Sequence, residues 1–211
     1  MSRYLGSACK LCRREGTKLM LKGERCSSSK CALARRNFPP GSHGPQGRPR
    51  QSEYSLQLRE KQKAKRMYGL LEQQFHLTFL NAKKQTGDAG ENLLRLLEMR
   101  LDNVVYRGGF ADSRAKAREL VSHAHFTVNG HPVDIPSYRV RPGDIIKVKA
   151  SRRRNQIFNG LGERLLKRKF QAPGWLFLDP SELEVKVLHE PKEEDLEKNI
   201  NTQLIVEFYA R

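Results

Sequence analysis

Residues 113–144 read S-R-A-K-A-R-E-L-V-S-H-A-H-F-T-V-N-G-H-P-V-D-I-P-S-Y-R-V-R-P-G-D, and the order of signals in this run decides the fold. Ser113 stands where a helix is capped, and Ala117, Leu120, Val121 and Ala124 then recur at helical spacing. An amphipathic helix is therefore predicted from Ser113 to His123. On this reading Arg114, Lys116 and Arg118 project outward from its first turns. Cations are mildly disfavoured at a helix N-terminus, so their placement there points to a phosphate partner. Phe126-Thr127-Val128 and Pro132-Val133-Asp134-Ile135 flank Asn129-Gly130, a strong hairpin signal. Pro142-Gly143-Asp144 then turns the chain into Ile145-Ile146-Lys147-Val148-Lys149, a partly alternating strand with lysines on one side. A helix, a hairpin and a third strand make a small helix–sheet module.

Upstream of this run the chain reads as helical. Ser52 caps a predicted helix carrying Tyr54, Leu58, Met67 and Tyr68, with Arg59, Lys61, Lys63, Lys65 and Arg66 on its other faces and Gly69 as its stop. Leu71, Phe75, Phe79 and Ala82 mark a second helix ending before Gly87. Their spacing fits a buried stripe better than a platform for stacked bases. A third helix is expected from about Glu91 to Val105, with Leu94, Leu97, Leu101 and Val104 on one face, completing a small bundle. Before these helices, Asn37 to Arg50 holds four prolines and three glycines, which excludes helix and central strand. This basic connector is equally compatible with lying along a polyanion and with remaining solvated.

All four cysteines, Cys9, Cys12, Cys26 and Cys31, fall in the first 31 residues as C-x2-C-x13-C-x4-C. Two residues between cysteines let both thiolates of a tight turn face one ion, and the intervening loop brings up a second pair. Lys10, Arg13, Arg14, Lys18, Lys22, Arg25 and Lys30 surround them and favour thiolates. A single structural zinc ion is the expectation, with an iron–sulfur cluster as the alternative. Few large apolar residues accompany the cysteines, so the ion would supply the segment's folding free energy.

The chain has 211 residues, 40 Lys and Arg against 23 Asp and Glu, and a formal net charge of +17. The excess is divided unevenly: residues 1–66 carry +13, 67–98 carry −1, 99–169 carry +10 and 170–211 carry −5. Clustered like charges repel, so two basic blocks make physical sense chiefly with phosphates to neutralise them. With a mean hydropathy of −0.70 and no apolar run of membrane-spanning length, no membrane association is expected. The first residues lack an apolar signal core, so a cytoplasmic location is expected. His123 and His125 stand two apart at a helix end with no carboxylate or cysteine nearby in sequence, which favours phosphate contact or a buried hydrogen bond over a metal. Arg152-Arg153-Arg154 and Lys167-Arg168-Lys169 suit RNA as well as they suit a targeting signal. No phosphate-cradling G-x-x-x-x-G-K-[ST], G-x-S-x-G or H-E-x-x-H motif occurs, and the chain reads as non-catalytic.

The run from Ser113 to Asp144 closely resembles the RNA-binding module named for small-ribosomal-subunit protein four, which is also appended to unrelated enzymes. The amino-terminal cysteines, P-P-G-S-H-G at Pro39–Gly44, L-R-E-K-Q-K at Leu58–Lys63, R-L-D-N-V-V-Y at Arg100–Tyr106 and V-E-F-Y at Val206–Tyr209 extend the resemblance to the bacterial family itself. Ala124 departs from it, standing where the family usually has glycine, and the acidic stretch Glu190 to Glu197 carries no assigned site.

The resemblance implies a primary binder of small-subunit ribosomal RNA, docked at a multi-helix junction of the five-prime domain, nucleating assembly and contributing to translational accuracy. It also implies a place beside ribosomal proteins three and five, near the messenger's path into the subunit, and not as a homo-oligomer. The fold expected is α+β: a four-cysteine metal segment (1–36), a Pro/Gly-rich linker (37–50), a helical domain (51–90), the RNA module with an extension (91–189) and a C-terminal segment packing back (190–211). Phosphate contacts are expected from Arg3, Lys10, Arg13, Arg14, Lys22, Arg25, Arg35, Arg36, Arg48, Arg50, Arg59, Lys63, Arg66, Arg114, Lys116, Arg118 and Lys147. The rival readings are a stand-alone RNA-binding regulator and a zinc-finger DNA regulator, the latter lacking a clear reading helix.

Overall fold

The computed structural model describes residues 4–46 and 52–211. In chain order the helices are α1 (Ala8–Glu15), α2 (Glu24–Ser27), α3 (Ala32–Arg35), α4 (Glu53–Met67), α5 (Glu72–Lys83), α6 (Ala89–Glu98), α7 (Leu101–Arg107) and α8 (Arg114–Ser122). Strands β1 (Phe126–Val128), β2 (His131–Pro132) and β3 (Ile145–Val148) come next, followed by α9 (Leu161–Lys167), β4 (Leu176–Asp179), β5 (Glu184–Val187) and α10 (Thr202–Ala210). The chain divides into two compact units, one of residues 1–93 with 197–211 and one of residues 94–196. No helix among the described residues is long and apolar enough to cross a membrane.

In the first unit, Ser52 caps α4 by accepting the Ser55 amide at 3.3 Å, and Gly69 takes a left-handed φ of 66° just beyond its end. Phe75, Phe79 and Ala82 form the buried stripe of α5, as their spacing predicted. The third member of this bundle is α10. Its Glu207 accepts a 3.0 Å hydrogen bond from Gln57 of α4, and the Asn201 amide that opens it donates to Glu60 at 2.7 Å. Tyr209 stacks on Phe79 with ring centroids 4.7 Å apart and donates its hydroxyl to Glu72 at 3.0 Å. Glu72 also accepts from Lys61 and Lys65, each at 2.7 Å. Burial alone would raise its carboxyl, but these three donors hold it at about 2. Burial and the Glu72 charge push the Tyr209 hydroxyl above its ordinary range.

The second unit is a five-stranded antiparallel sheet in the order β2-β1-β3-β5-β4, with α7 and α8 packed on it. Asn129 and Gly130 have φ of 51° and 81°, the mirror-image turn that matches strand twist, and Val128 pairs with His131 across it. The Asn129 side chain donates to Asp144 at 2.9 Å and accepts from the Ile145 amide at 2.9 Å, tying the hairpin to the Pro-Gly-Asp turn. Trp175, Phe126, Phe158, Ile146, Val185 and Leu120 are almost fully buried in one core with Val104 and Ala117. At Gly108 an added Cβ would lie 2.7 Å from Val185 Cγ2, so the end of α7 approaches β5 more closely than a side chain allows.

The continuous third helix expected from Glu91 to Val105 is broken. Arg100 is extended (φ −76°, ψ 140°) and forms a bridge with Arg139, the Leu101 amide donates to Tyr138 O at 2.8 Å, and the Val140 amide donates to Met99 O at 3.0 Å. The loop before β3 takes the hydrogen bonds a helix would have used, giving α6 and α7 in its place. The expected strand at Pro132–Ile135 is likewise reduced to His131–Pro132, an exposed edge where Pro132 has no amide to donate.

Candidate nucleic-acid interface

In the first unit Cys9 and Cys12 lie on α1, Cys26 on α2, and Cys31 just before α3. All four are free thiols, and all four line one small cavity together with Lys22, Arg25, Ala32 and Leu33. The Lys22 amide donates to Cys26 Sγ at 3.3 Å. The Ala34 amide, with that of Leu33, draws the Cys31 thiol below its ordinary value, whereas burial pushes Cys12 up. Thiols that converge on one cavity and receive backbone N–H groups fit a thiophilic ion by donor type. Among the described residues no group of three or more Cys, His, Asp or Glu side chains is already drawn together at metal-holding geometry. Cys9 and Cys12 sit on a helical turn and not in the tight turn expected of a C-x2-C pair.

Lys10, Arg14, Lys22, Arg25, Arg35 and Arg36 are all exposed and form no ion pair among the described residues. Arg13 differs: its Nε donates to Phe38 O at 3.0 Å and its Nη2 to Pro39 O at 3.1 Å, with the guanidinium 4.8 Å from the centre of the Phe38 ring. It anchors the start of the proline-rich connector. Arg3, Arg48 and Arg50 lie outside the described residues.

Arg59 and Arg66 of α4 converge on Glu15 of α1, Arg59 at 3.4 Å, and Lys63 pairs with Glu60 at 2.7 Å. The Glu15 side chain is 1% exposed, and burial raises its carboxyl against the pull of Arg66 and Arg59. These two arginines hold α1 on α4 by a desolvated charge cluster, leaving each about a quarter to a third exposed.

In the second unit the expected outward row of Arg114, Lys116 and Arg118 is corrected. Arg114 is buried, donating from Nε to Asn103 Oδ1 at 2.8 Å, lying 3.8 Å from Glu98 and 4.7 Å from the centre of the Tyr106 ring. Glu98 is fully buried and also accepts from Arg107 at 2.8 and 2.9 Å and from Asn103 at 2.7 Å. Arg118 is mostly buried 3.6 Å from Asp102, which Arg100 grips with bonds of 2.8 and 3.0 Å. The reason is geometric: α7 presents Asp102 and Asn103 toward α8, so cations on the facing side satisfy buried acceptors. Only Lys116 projects, 3.3 Å from Glu119. Lys147 on β3 is half-buried and bonded to Glu182 at 2.7 Å, which raises its ammonium above the ordinary value.

The exposed cations of this unit are others. Arg139 and Arg141 flank buried Val140, Arg152 and Arg154 extend from the turn after β3, and Lys167 and Lys169 close α9. The sequence held a signal for the first pair, alternation about a valine, and for the rest the two basic runs. Arg153 and Arg168 in those runs are engaged instead, by Glu182 at 2.9 Å and Asp112 at 3.8 Å.

A helix pair on an antiparallel sheet, with no carboxylate opposite most of its outward cations, defines a protein that binds a polyanion through a small α+β module. Residues 99–146 match the S4 domain, and residues 3–98 match the ribosomal protein S4/S9 N-terminal domain. The small ribosomal subunit protein uS4 of Heliobacterium modesticaldum is 54% identical over 215 residues, and that of Caldicellulosiruptor saccharolyticus is 56% identical over 211, each alignment covering the whole of both chains. The uS4A protein of Alkaliphilus oremlandii is 54% identical, again over all of both chains. The chain belongs to the small ribosomal subunit protein uS4 family.

Proposed function

We propose that this chain is a structural protein of the small ribosomal subunit, bound to its ribosomal RNA in the cytoplasm. The observation that carries this reading is the end-to-end match to uS4 proteins at 54–56% identity, which spans both units. Exposed cations on each unit supply the physics: lysine and arginine neutralise phosphates on several RNA helices and offset the repulsion that keeps those helices apart. A-form RNA hides its base edges in a deep, narrow groove, so the chain recognises junction shape and backbone. Within that role it is a primary binder of a five-prime-domain junction that nucleates assembly and supports accurate decoding, beside ribosomal proteins three and five and near the messenger. It acts by binding and not by catalysis. Cys9, Cys12, Cys26 and Cys31 hold one zinc ion, or an iron–sulfur cluster, which folds the first segment by joining its three short helices.

Sedimentation through a sucrose gradient at high salt tests the reading. The tagged chain is expected to travel with small subunits. Recovery only at the top of the gradient would instead support a stand-alone RNA-binding regulator.

A further inference from the structure

Pro39 and Pro40 carry no backbone N–H, so the chain here has few amides of its own and its carbonyls need donors from elsewhere. Arg13 supplies them. Its Nε donates to Phe38 O at 3.0 Å and its Nη2 to Pro39 O at 3.1 Å, while the guanidinium stands 4.8 Å from the centre of the Phe38 ring. A planar fork can serve two successive carbonyls and a ring face at once, which a lysine ammonium cannot. Beyond this grip the chain closes on itself. Gly41 takes φ of 113°, the Gly44 amide donates to Gly41 O at 3.2 Å and the Gln46 amide to His43 O at 3.2 Å. His43 Nδ1 lies 3.1 Å from Gln46 Oε1. A Cβ at Gly44 would run into the Pro39 carbonyl, so the loop folds back against the same group that Arg13 holds. Residues 38–46 are therefore a compact loop and not an extended linker.

Both supports of this loop carry cysteines. Arg13 follows Cys12 on α1, and Cys31 precedes α3, whose chain leads into the loop through Arg35 and Arg36. The bonds from Arg13 to Phe38 and Pro39 thus close a ring of chain that contains Cys26 and Cys31. Gly41, Ser42 and His43 at the loop's tip are exposed, as are Arg35 and Arg36 at its base. We propose that Arg13 is a positioning residue for RNA binding: it clamps the 38–46 loop to the cysteine-bearing helix α1, so that the loop and the two arginines at its base meet RNA as one fixed surface only while the cysteine segment is folded. The clamp deepens the RNA-binding reading and rests on it. Arg13 then acts through the loop and not as a phosphate contact. A surface fixed in advance loses less conformational entropy when RNA binds, and that saving is what the clamp contributes.

The test uses the full chain, a transcript of the five-prime-domain junction of small-subunit rRNA at several salt concentrations, and amide hydrogen exchange of the loop read by mass spectrometry. Arg13→Lys keeps the charge and loses the fork. It is expected to weaken binding about tenfold at every salt concentration, with the slope of log affinity on log salt unchanged, and to speed exchange at Gly44 and Gln46. Arg13→Gln is expected to behave as Arg13→Lys does. Arg14→Gln, one residue on, is expected to flatten the slope by about 0.7–0.9 and to leave loop exchange as it was. Cys9→Ser is expected to speed loop exchange as much as Arg13→Gln does. If Arg13→Gln does not fold, Phe38→Leu, which removes only the ring beside the guanidinium, is expected to weaken binding about two- to threefold with the slope unchanged. Near-full affinity in Arg13→Lys, with a slope flattened by about one in Arg13→Gln, would make Arg13 a phosphate contact and overturn the clamp. A loop still protected in Cys9→Ser would overturn its coupling to the cysteine segment. Failure of the unaltered chain to bind the transcript would overturn the RNA-binding reading itself, while loop exchange would still report the clamp.

Discussion

At the residue scale, Ala124 is the plainest conflict between sequence and backbone. It ends α8 with φ of 53°, in the left-handed region where a Cβ crowds the neighbouring carbonyl and glycine does not. The Ala124 amide closes the helix on Val121 O at 2.9 Å, so the conformation is fixed by the C-terminal turn and not by the side chain. Ala124→Gly is expected to stabilise the chain by about 1 kcal/mol and raise its melting temperature by roughly 2–4 °C. Thermal unfolding checks this, and an unchanged or lowered midpoint would show that the alanine is not strained. The same scale explains why single residues were read unevenly. Asn129-Gly130 announced its turn because the backbone requirement lies in two adjacent residues. Nothing local distinguishes Arg114 from Lys116, because what separates them is Glu98 and Asn103 on other helices.

Among the elements, α5, α8 and β3 were legible because each buries a regular stripe of its own. Helix α4 forms where its cap and stop place it but buries Gln57, Lys61, Ala64 and Met67 and leaves Tyr54 exposed, because α10 covers a face that its own apolar residues do not mark. The break between α6 and α7 was not legible, since the apolar period runs through it and only the Arg139 bridge interrupts the helix. Strands β4 and β5 fall within the extension expected of the module (91–189), but the sequence reading assigns them no sheet, although Val185 and Val187 alternate inward and Asp179-Pro180-Ser181 offers a turn. The cysteine segment is the element whose stability depends most on something beyond its side chains. Helices α2 and α3 have four residues each, too short to persist alone, and Leu19 is the sole fully buried large apolar residue between α1 and α3. Cys9→Ser is therefore expected to release the proposed ion and unfold roughly the first 40 residues, leaving the second unit folded, since its core lies wholly within residues 94–196. Metal content by mass spectrometry and limited proteolysis read both outcomes. One metal retained per chain would count against a four-thiolate site.

For the whole molecule, the net charge of +17 divides into two populations with different consequences. Lys10, Arg14 and Arg35 are exposed cations of the first unit with no ion-pair partner among the described residues. Neutralising them removes counterion release and little else. Arg114 and Arg118 are neutralised already by Glu98 and Asp102, so each contributes to cohesion of the second unit and little to the field that meets a phosphate. The counts of basic residues along the chain gave the sign of the partner correctly but could not make this division, which depends on side chains packed across helices. Substituting Lys10, Arg14 and Arg35 together by Gln is expected to flatten the dependence of log affinity on log salt by about 2–3 units, with the melting temperature unchanged. Arg114→Gln is expected to do the reverse: it leaves buried Glu98 short of a partner, costs on the order of 3 kcal/mol of stability, and leaves the salt slope of the remaining folded chain as it was. Binding titrations at four salt concentrations, paired with urea unfolding of each variant, separate the two populations. A flattened slope in Arg114→Gln without loss of stability would return that arginine to the RNA surface.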